Sequence, residues 1–288
     1  MGNIWELDYY SRPILDDNNK KVWEVLLCQS ATDISANTDT LFRYAKYCPS
    51  TTVNSVWLGN AIKEAIEEAG EAPIKIRFFR RQMNNMITKA CENIGIPSQL
   101  SRRTLILNQW IQERIEDVYP NEPGYQGSTN PSVRLDAPLP QRLPDALEWQ
   151  QWGFVTLSAG DFADMPEWDI GFGEAFPLNM TNISPETPIP GVLIFTSRAL
   201  PVAGWMSGLE LAWLKFNSSP QGSSLLLETG ATESWLLANL GNSEMRIQAK
   251  NFEEAKQKAN GVHFLGVQSD PNSESFAGFW LLQEVNLP

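Results

Sequence analysis

Hydrophobic and polar positions change period several times along the first 118 residues, and each change marks an element. Two strand-like runs come first, IWELDYYSRPIL and KVWEVLLCQ. The polar DDNNKK between them has the composition of a hairpin turn. A third short run, LFRYAKYC, follows. Leu58, Ala61, Ile62, Ala65, Ile66 and Ala69 then recur at helical spacing, with Gly70 as the stop. IKIRFF reads as a strand. Met83, Met86, Ile87, Ala90, Cys91 and Ile94 form a second helical stripe, closed by Gly95 and Pro97. A short run over 96–100 leads into a last helix on which Leu107, Ile111, Ile115 and Val118 align. The predicted order is βββαβαβα.

Residues 119–148 break this pattern. Pro120, Pro123, Pro131, Pro138, Pro140 and Pro144, with Gly124 and Gly127, exclude a long helix or a central strand, so the stretch reads as a linker. Beyond it, over 149–288, strand-like runs dominate: WGFVTLSA, GVLIFTSR, LELAWLKF, SLLLETG, SWLLANL, GVHFLGVQ and FAGFWLLQE. NFEEAKQKA predicts one helix and ALPVAGWM a second, short one. Asp161, Asp164, Glu167 and Asp169 crowd the first loop. The expected organisation is α+β in two domains: a βββαβαβα domain over 1–118, and a strand-rich α+β domain over 149–288.

The chain has 288 residues, a formal charge of -12, 42% hydrophobic and 19% charged residues, which is the balance of a folded protein. That charge is unevenly spread. Residues 1–120 hold 14 Lys and Arg against 15 Asp and Glu, a net of -1; residues 121–288 hold 8 against 19, a net of -11. Within the first part, residues 73–114 hold 8 basic side chains against Glu92 and Glu113, a net of +6. Cys28, Cys48 and Cys91 are odd in number and form no CxxC pair, which points to a reducing compartment. With His263 as the one histidine, no histidine zinc cluster is available, and any Ser-His-Asp triad would have to use His263; its place in GVHFLGV predicts a structural role. No leader-like start and no apolar run of membrane-spanning length is visible. GFG at 171–173 lacks the third glycine of a dinucleotide loop, and no phosphate-loop motif occurs, so no cofactor is expected.

The order βββαβαβ is that of the ribonuclease H-like fold. Two-metal hydrolysis on that fold needs converging carboxylates. Asp8 occupies the first strand, and Glu64, Glu67 or Glu68 could add an acid from the first helix, but the fourth strand ends in Arg80-Arg81, where cations would repel a metal. The chain is therefore expected to be a non-enzyme with the nuclease site lost, any residual metal affinity lying near Asp8. The basic segment suggests instead a site for single-stranded RNA: cations for phosphate, amides for base edges, rings for stacking. Its candidate residues are Arg77, Phe79, Arg80, Arg81, Asn85, Arg102, Arg103 and Arg114. Alternation along IRFFRR predicts one face in the core and the other offering a cation beside a ring.

Several long words carry a resemblance. WELDYYSRPILDDNNKKVWEVLLC, IRFFRRQMNNMITKAC, PSQLSRRTLILNQWIQER and FAGFWLLQE resemble the Tab/ATAB proteins, RNA-binding translation factors of oxygenic phototrophs; LETG and EEAKQKANGVHFLGVQSD extend the likeness to the C-terminal part. The resemblance implies binding of A/U-rich single-stranded mRNA at 5′ untranslated regions, within larger ribonucleoprotein complexes, in support of photosystem subunit translation, mainly photosystem I. The start of the chain, unlike a plastid transit peptide, implies a cyanobacterial, cytoplasmic member. It implies no catalytic residues; the RNA-contact candidates rest on the charge pattern alone. Two other expectations stand beside this one. A scaffold for photosystem biogenesis would use the acidic second part to dock a basic protein without binding RNA, and a metal-dependent nuclease would use Asp8 with a helix-borne Glu.

Overall fold

The structure is a computed structural model that describes residues 3–127, 139–149, 151–219 and 222–287. The chain forms two compact units. Among the described residues, the first gathers 3–30, 38–127 and 286–287; the second gathers 31–37, 139–149, 151–219 and 222–285.

The first unit runs β1 (Ile4–Leu15), β2 (Lys21–Gln29), β3 (Arg43–Cys48), α1 (Ser55–Ala69), β4 (Lys75–Phe78), α2 (Asn84–Ile94), β5 (Ser98–Leu100) and α3 (Leu105–Glu113). Its sheet has the order β3-β2-β1-β4-β5. β1 is antiparallel to β2, and β2 to β3, while β4 and β5 continue the sheet in parallel with β1. This is a ribonuclease H-like arrangement, and its element order is the one the periodicity predicts.

Local chemistry sets the boundaries. Asp16 Oδ1 accepts from the Asn18 and Lys20 amides, both at 2.9 Å, and Asn19 takes the left-handed conformation that turns β1 into β2. Asn54 caps α1 by accepting from the Val56 and Trp57 amides at 3.0 and 2.9 Å. Gly70 and Gly95, at φ 76° and 75°, end α1 and α2.

Alternation along the strands separates two very different faces. Trp5, Leu7, Tyr9, Val25, Leu27, Ile76 and Phe78 meet Leu58 and Ile62 of α1 and Ile87 and Cys91 of α2 in one apolar core. The opposite face of β1 and β2 carries Glu6, Asp8 and Glu24. α3 covers it: the Leu107 amide donates to Glu6 Oε2 at 2.7 Å.

The second unit holds β6 (Gln141–Arg142), β7 (Gln151–Ser158), β8 (Ile170–Glu174), β9 (Pro188–Phe195), α4 (Ala199–Gly208), β10 (Leu211–Ser219), β11 (Gly222–Thr229), β12 (Glu233–Asn239), α5 (Ser243–Lys258), β13 (Val262–Gln268) and β14 (Phe276–Gln283). They form two sheets, β7-β9-β13-β14-β8 and β10-β11-β12-β6. The fold class is thus α+β, as predicted. Val202, Leu214, Leu225, Phe252, Leu265 and Trp280 belong to its core.

Two strands have no counterpart in the sequence reading. β6 is two residues long. β8, IGFGE, falls in the predicted acidic loop, and its glycines weaken the strand signal. They have a packing role: a Cβ on Gly173 would lie 2.3 Å from the Phe279 carbonyl oxygen of β14. Parts of the stretch read as linker are structured. Tyr119–Asn121 forms a 3₁₀ turn with Tyr119 buried, and Gln141–Arg142 pairs with β12; residues 128–138 lie outside those described. Residues 31–37, between β2 and β3 in the chain, belong to the second unit, where Thr32 O accepts from the Ala175 amide at 3.0 Å.

His263 has two internal partners. Its Nε2 accepts from the Leu214 amide at 2.8 Å, so the proton sits on Nδ1, which donates to Gly261 O at 2.8 Å. Burial, reinforced by the nearby Lys256 cation, pushes its pKa down to about 3.

Candidate nucleic-acid interface

The basic segment leads into the charged face of the first unit. Asp8, central on β1, is fully buried. Arg80, just past the end of β4, donates from Nε to Asp8 Oδ1 at 2.6 Å and from Nη2 to Oδ2 at 3.3 Å. Arg12 donates from Nη1 to Asp8 Oδ2 at 2.9 Å and from Nε to Glu24 Oε2 at 2.8 Å. Glu24 also accepts from Arg114 Nη2 and from the Tyr119 hydroxyl, the latter at 2.6 Å. Aromatic rings complete the packing. The Arg80 guanidinium lies 4.2 Å from the Tyr10 ring centroid and 4.8 Å from that of Phe79.

Burial alone would push the Asp8 carboxyl up. The Arg80 and Arg12 guanidiniums outweigh that and hold it below the usual carboxylate range. Asp8 is therefore a charged structural group, with both oxygens engaged by arginine. Three guanidiniums face two carboxylates in this cluster, and Arg12 Nη2, Arg80 Nη1 and Arg114 Nε are buried with no hydrogen-bond partner among the described residues. No group of three or more His, Cys, Asp or Glu side chains among the described residues is placed to hold a metal ion.

The eight sequence candidates separate by exposure. Arg77, Phe79, Arg80, Arg102 and Arg103 are buried, and Arg114 is 13% exposed. The solvent-facing side expected for IRFFRR is absent over residues 76–80: β4 is an inner parallel strand, so Phe78 packs against α1 and α2 while Arg77 lies in register with Glu6 on the other face, and Phe79 is also enclosed. Neither phenylalanine presents a ring to solvent. Arg114 turns inward to Glu24 instead of standing on the outer side of α3.

Arg81 and Asn85 are exposed, and with the exposed Lys89 they follow one another at four-residue spacing along the start of α2. Met83, the residue at the N-cap of α2, offers no side-chain hydrogen bond to the first turn. The structure thus brings Arg80, Arg114 and Asp8 together inside the unit, and leaves Arg81, Asn85 and Lys89 as a cationic, amide-bearing surface.

Arg12, Glu24, Tyr10 and Tyr119 were missing from the sequence candidates. One signal for Arg12 was available: at four residues from Asp8 on one strand it shares Asp8's face. Glu24 lies opposite Tyr10 in the β1–β2 register, which follows only once the turn is placed.

Comparison with known proteins covers almost the whole chain. Residues 4–114 match the family described as "RNA-binding protein Tab2/Atab2 N terminal", and residues 130–283 match "RNA-binding protein Tab2/Atab2, C-terminal domain". The "Protein TAB2 homolog, chloroplastic" of Arabidopsis thaliana is 37% identical over 292 residues, covering 99% of this chain and 75% of the relative. The protein of the same description from Zea mays is 35% identical over 291 residues, covering 99% of this chain and 72% of the relative. No solved structure gives a significant match. With both domain descriptions satisfied in order and relatives aligned across nearly its full length, the chain belongs to the Tab2/Atab2 family.

Proposed function

We propose that the chain binds single-stranded, A/U-rich RNA in 5′ untranslated regions and supports translation of photosystem subunits, mainly of photosystem I, as a non-catalytic factor within a ribonucleoprotein complex. Membership of a family described as RNA-binding, over both domains, is the observation that carries this reading. The surface formed by Arg81, Asn85 and Lys89 supports it. The amides of the first turn of α2 and the helix dipole favour a phosphate there, and the side chains supply charge and amide donors. The non-catalytic part rests on Asp8: a carboxylate whose two oxygens already receive guanidinium hydrogen bonds is a poor ligand for a divalent cation. The proposed compartment is the cytoplasm. The relatives' names place those proteins in the chloroplast, and no helix among the described residues is long and apolar enough to cross a membrane.

The test is fluorescence anisotropy of equal-length A/U-rich and G/C-rich single-stranded RNAs with the full chain. Tighter binding of the A/U-rich RNA, weakened in a folded Arg81→Glu/Lys89→Glu variant, is expected. Absence of binding at low salt overturns direct RNA recognition and leaves the scaffold reading. Incubation of labelled RNA with the protein and magnesium or manganese should leave RNA length unchanged; shortening that requires the added metal and stops on chelation with EDTA would establish a nuclease instead.

A further inference from the structure

The second unit carries an open cleft of about 650 Å³ that the RNA reading does not use. Trp168 and Phe276 line it together with Glu167, Asp169, Glu274 and Ser275. The two rings are half-buried, with centroids 6.0 Å apart and planes tilted by 31°. Both are braced from behind by Phe279, whose centroid lies 5.3 Å from Trp168 and 5.1 Å from Phe276, edge-on in each case. The Phe276 amide donates to Asp169 O at 2.8 Å, which ties the two wall segments together. The loop bearing Glu274 is pinned by buried Gln268, whose side-chain amide donates to Ser273 O at 2.8 Å. The cavity is therefore built before any ligand arrives.

Glu167, Asp169 and Glu274 are exposed and form no ion pair among the described residues. The two stretches that line the cleft carry no cation of their own. From Leu143 to Ser197 there are eight Asp and Glu and no Lys or Arg; after Lys258 there are three acids and again no Lys or Arg. Both segments lining the cavity come from these stretches.

We propose that this cavity receives an arginine or lysine side chain from an extended basic segment of a partner protein. Charge complementarity selects the occupant. A cation over the aromatic faces is attracted by their quadrupoles, and the rim carboxylates pair with it or with its neighbours along the segment. RNA would meet an anionic rim. A bare divalent cation finds no convergent set of three carboxylates here. An apolar side chain would use the rings and leave the carboxylates without a counter-charge. The site is independent of the α2 surface proposed for RNA.

The experiment titrates the full chain against a labelled peptide of alternating arginine and glycine, with the peptide in which citrulline replaces arginine as the neutral isostere. The arginine peptide should bind saturably, and the citrulline peptide about tenfold more weakly or less. Glu167→Gln/Asp169→Asn/Glu274→Gln, three exposed and nearly isosteric changes, should lose about tenfold in affinity. Trp168→Leu, with every carboxylate retained, should also weaken binding; it separates this cavity from general acidity. RNA affinity should stay unchanged in the triple variant, so failure here and failure of the RNA reading are told apart. Wild-type peptide affinity in both variants overturns the proposal. So does an equal loss on neutralising Glu244 and Glu254 of α5, which would show diffuse attraction. Displacement of the peptide by magnesium at constant ionic strength overturns it too, in favour of a metal site.

Discussion

Asp8 shows how one residue's role is decided by partners far away in sequence. At its place on β1 a free carboxylate would be a candidate metal ligand. Arg80, 72 positions later, and Arg12 convert it into the anchor of a buried network. Removing Arg80 takes its hydrogen bonds from the buried Asp8 and leaves Arg12 as that carboxylate's one remaining guanidinium, so Arg80→Ala should lower unfolding free energy by about 1.5–3 kcal/mol in urea titrations. Arg80→Lys should recover only part of that, because an ammonium cannot make the forked contact with both Asp8 oxygens. A loss below experimental error in Arg80→Ala would show that the cluster adds nothing to stability. The sequence displayed these arginines as charge; their burial depended on acids at unrelated positions, which no spacing rule reveals. His263 is the contrasting case, legible because a lone histidine within an apolar strand run has few other roles. Its folded pKa, about 3, lies below the unfolded value near 6.5. The unfolded chain therefore binds the extra proton first, and the stability held above the unfolded value is lost as pH falls from about 6.5 towards 3. Between pH 7 and 5 this contributes a loss of about 2 kcal/mol, from about 1.4 kcal/mol per pH unit. His263→Gln should flatten that part of a stability–pH curve relative to wild type, even if it is less stable throughout.

Among the elements, the helices and longer strands of the first unit are legible because each carries a clean period and a stop: the stripe on α1 ends at Gly70, that on α2 at Gly95. For β4 the period is not enough. Alternation identifies two faces but does not say whether both are covered. In this sheet α1 and α2 close one side and α3 the other, so residues 76–80 of IRFFRR have no solvent face to offer and Arg81 alone reaches the surface. Short elements failed for a different reason: Gly171 and Gly173 carry no side-chain signal, yet β8 exists because β14 approaches so closely. That argument is testable within one sheet. Gly173→Ala places a Cβ 2.3 Å from backbone oxygen, whereas Gly153→Ala on β7 meets nothing within 4 Å. The first change should cost about 1–3 kcal/mol or more, by forcing the β8–β14 register apart. The second should be neutral or slightly stabilising, since alanine restricts the unfolded chain. Equal thermal shifts in the two variants would remove the close-approach explanation for the glycines.

On the scale of the whole molecule, net charge alone argues against nucleic acid, and the distribution of charge reverses that argument. The -12 of the chain lies almost wholly beyond residue 120, and the 73–114 segment is +6. Much of that positive charge is buried, so the number of phosphates neutralised should be smaller than the segment's arginine count suggests. For single-stranded RNA the logarithm of the association constant falls with log salt at a slope of about -0.7 per neutralised phosphate. If Arg81 and Lys89 each meet one phosphate, Arg81→Glu/Lys89→Glu should make the slope shallower by about 1.4, besides lowering affinity. Neutralising Asp161 and Asp164 of the acidic second unit should leave the slope as it is, since these side chains contribute no released counterions from RNA. A slope unchanged in the first variant but altered in the second would move the RNA site off α2 and into the second unit. Arg77 and Arg80 would then be the segment's architectural arginines and Arg81 a solvated one, and the RNA-binding surface of this chain would lie where its sequence is most acidic.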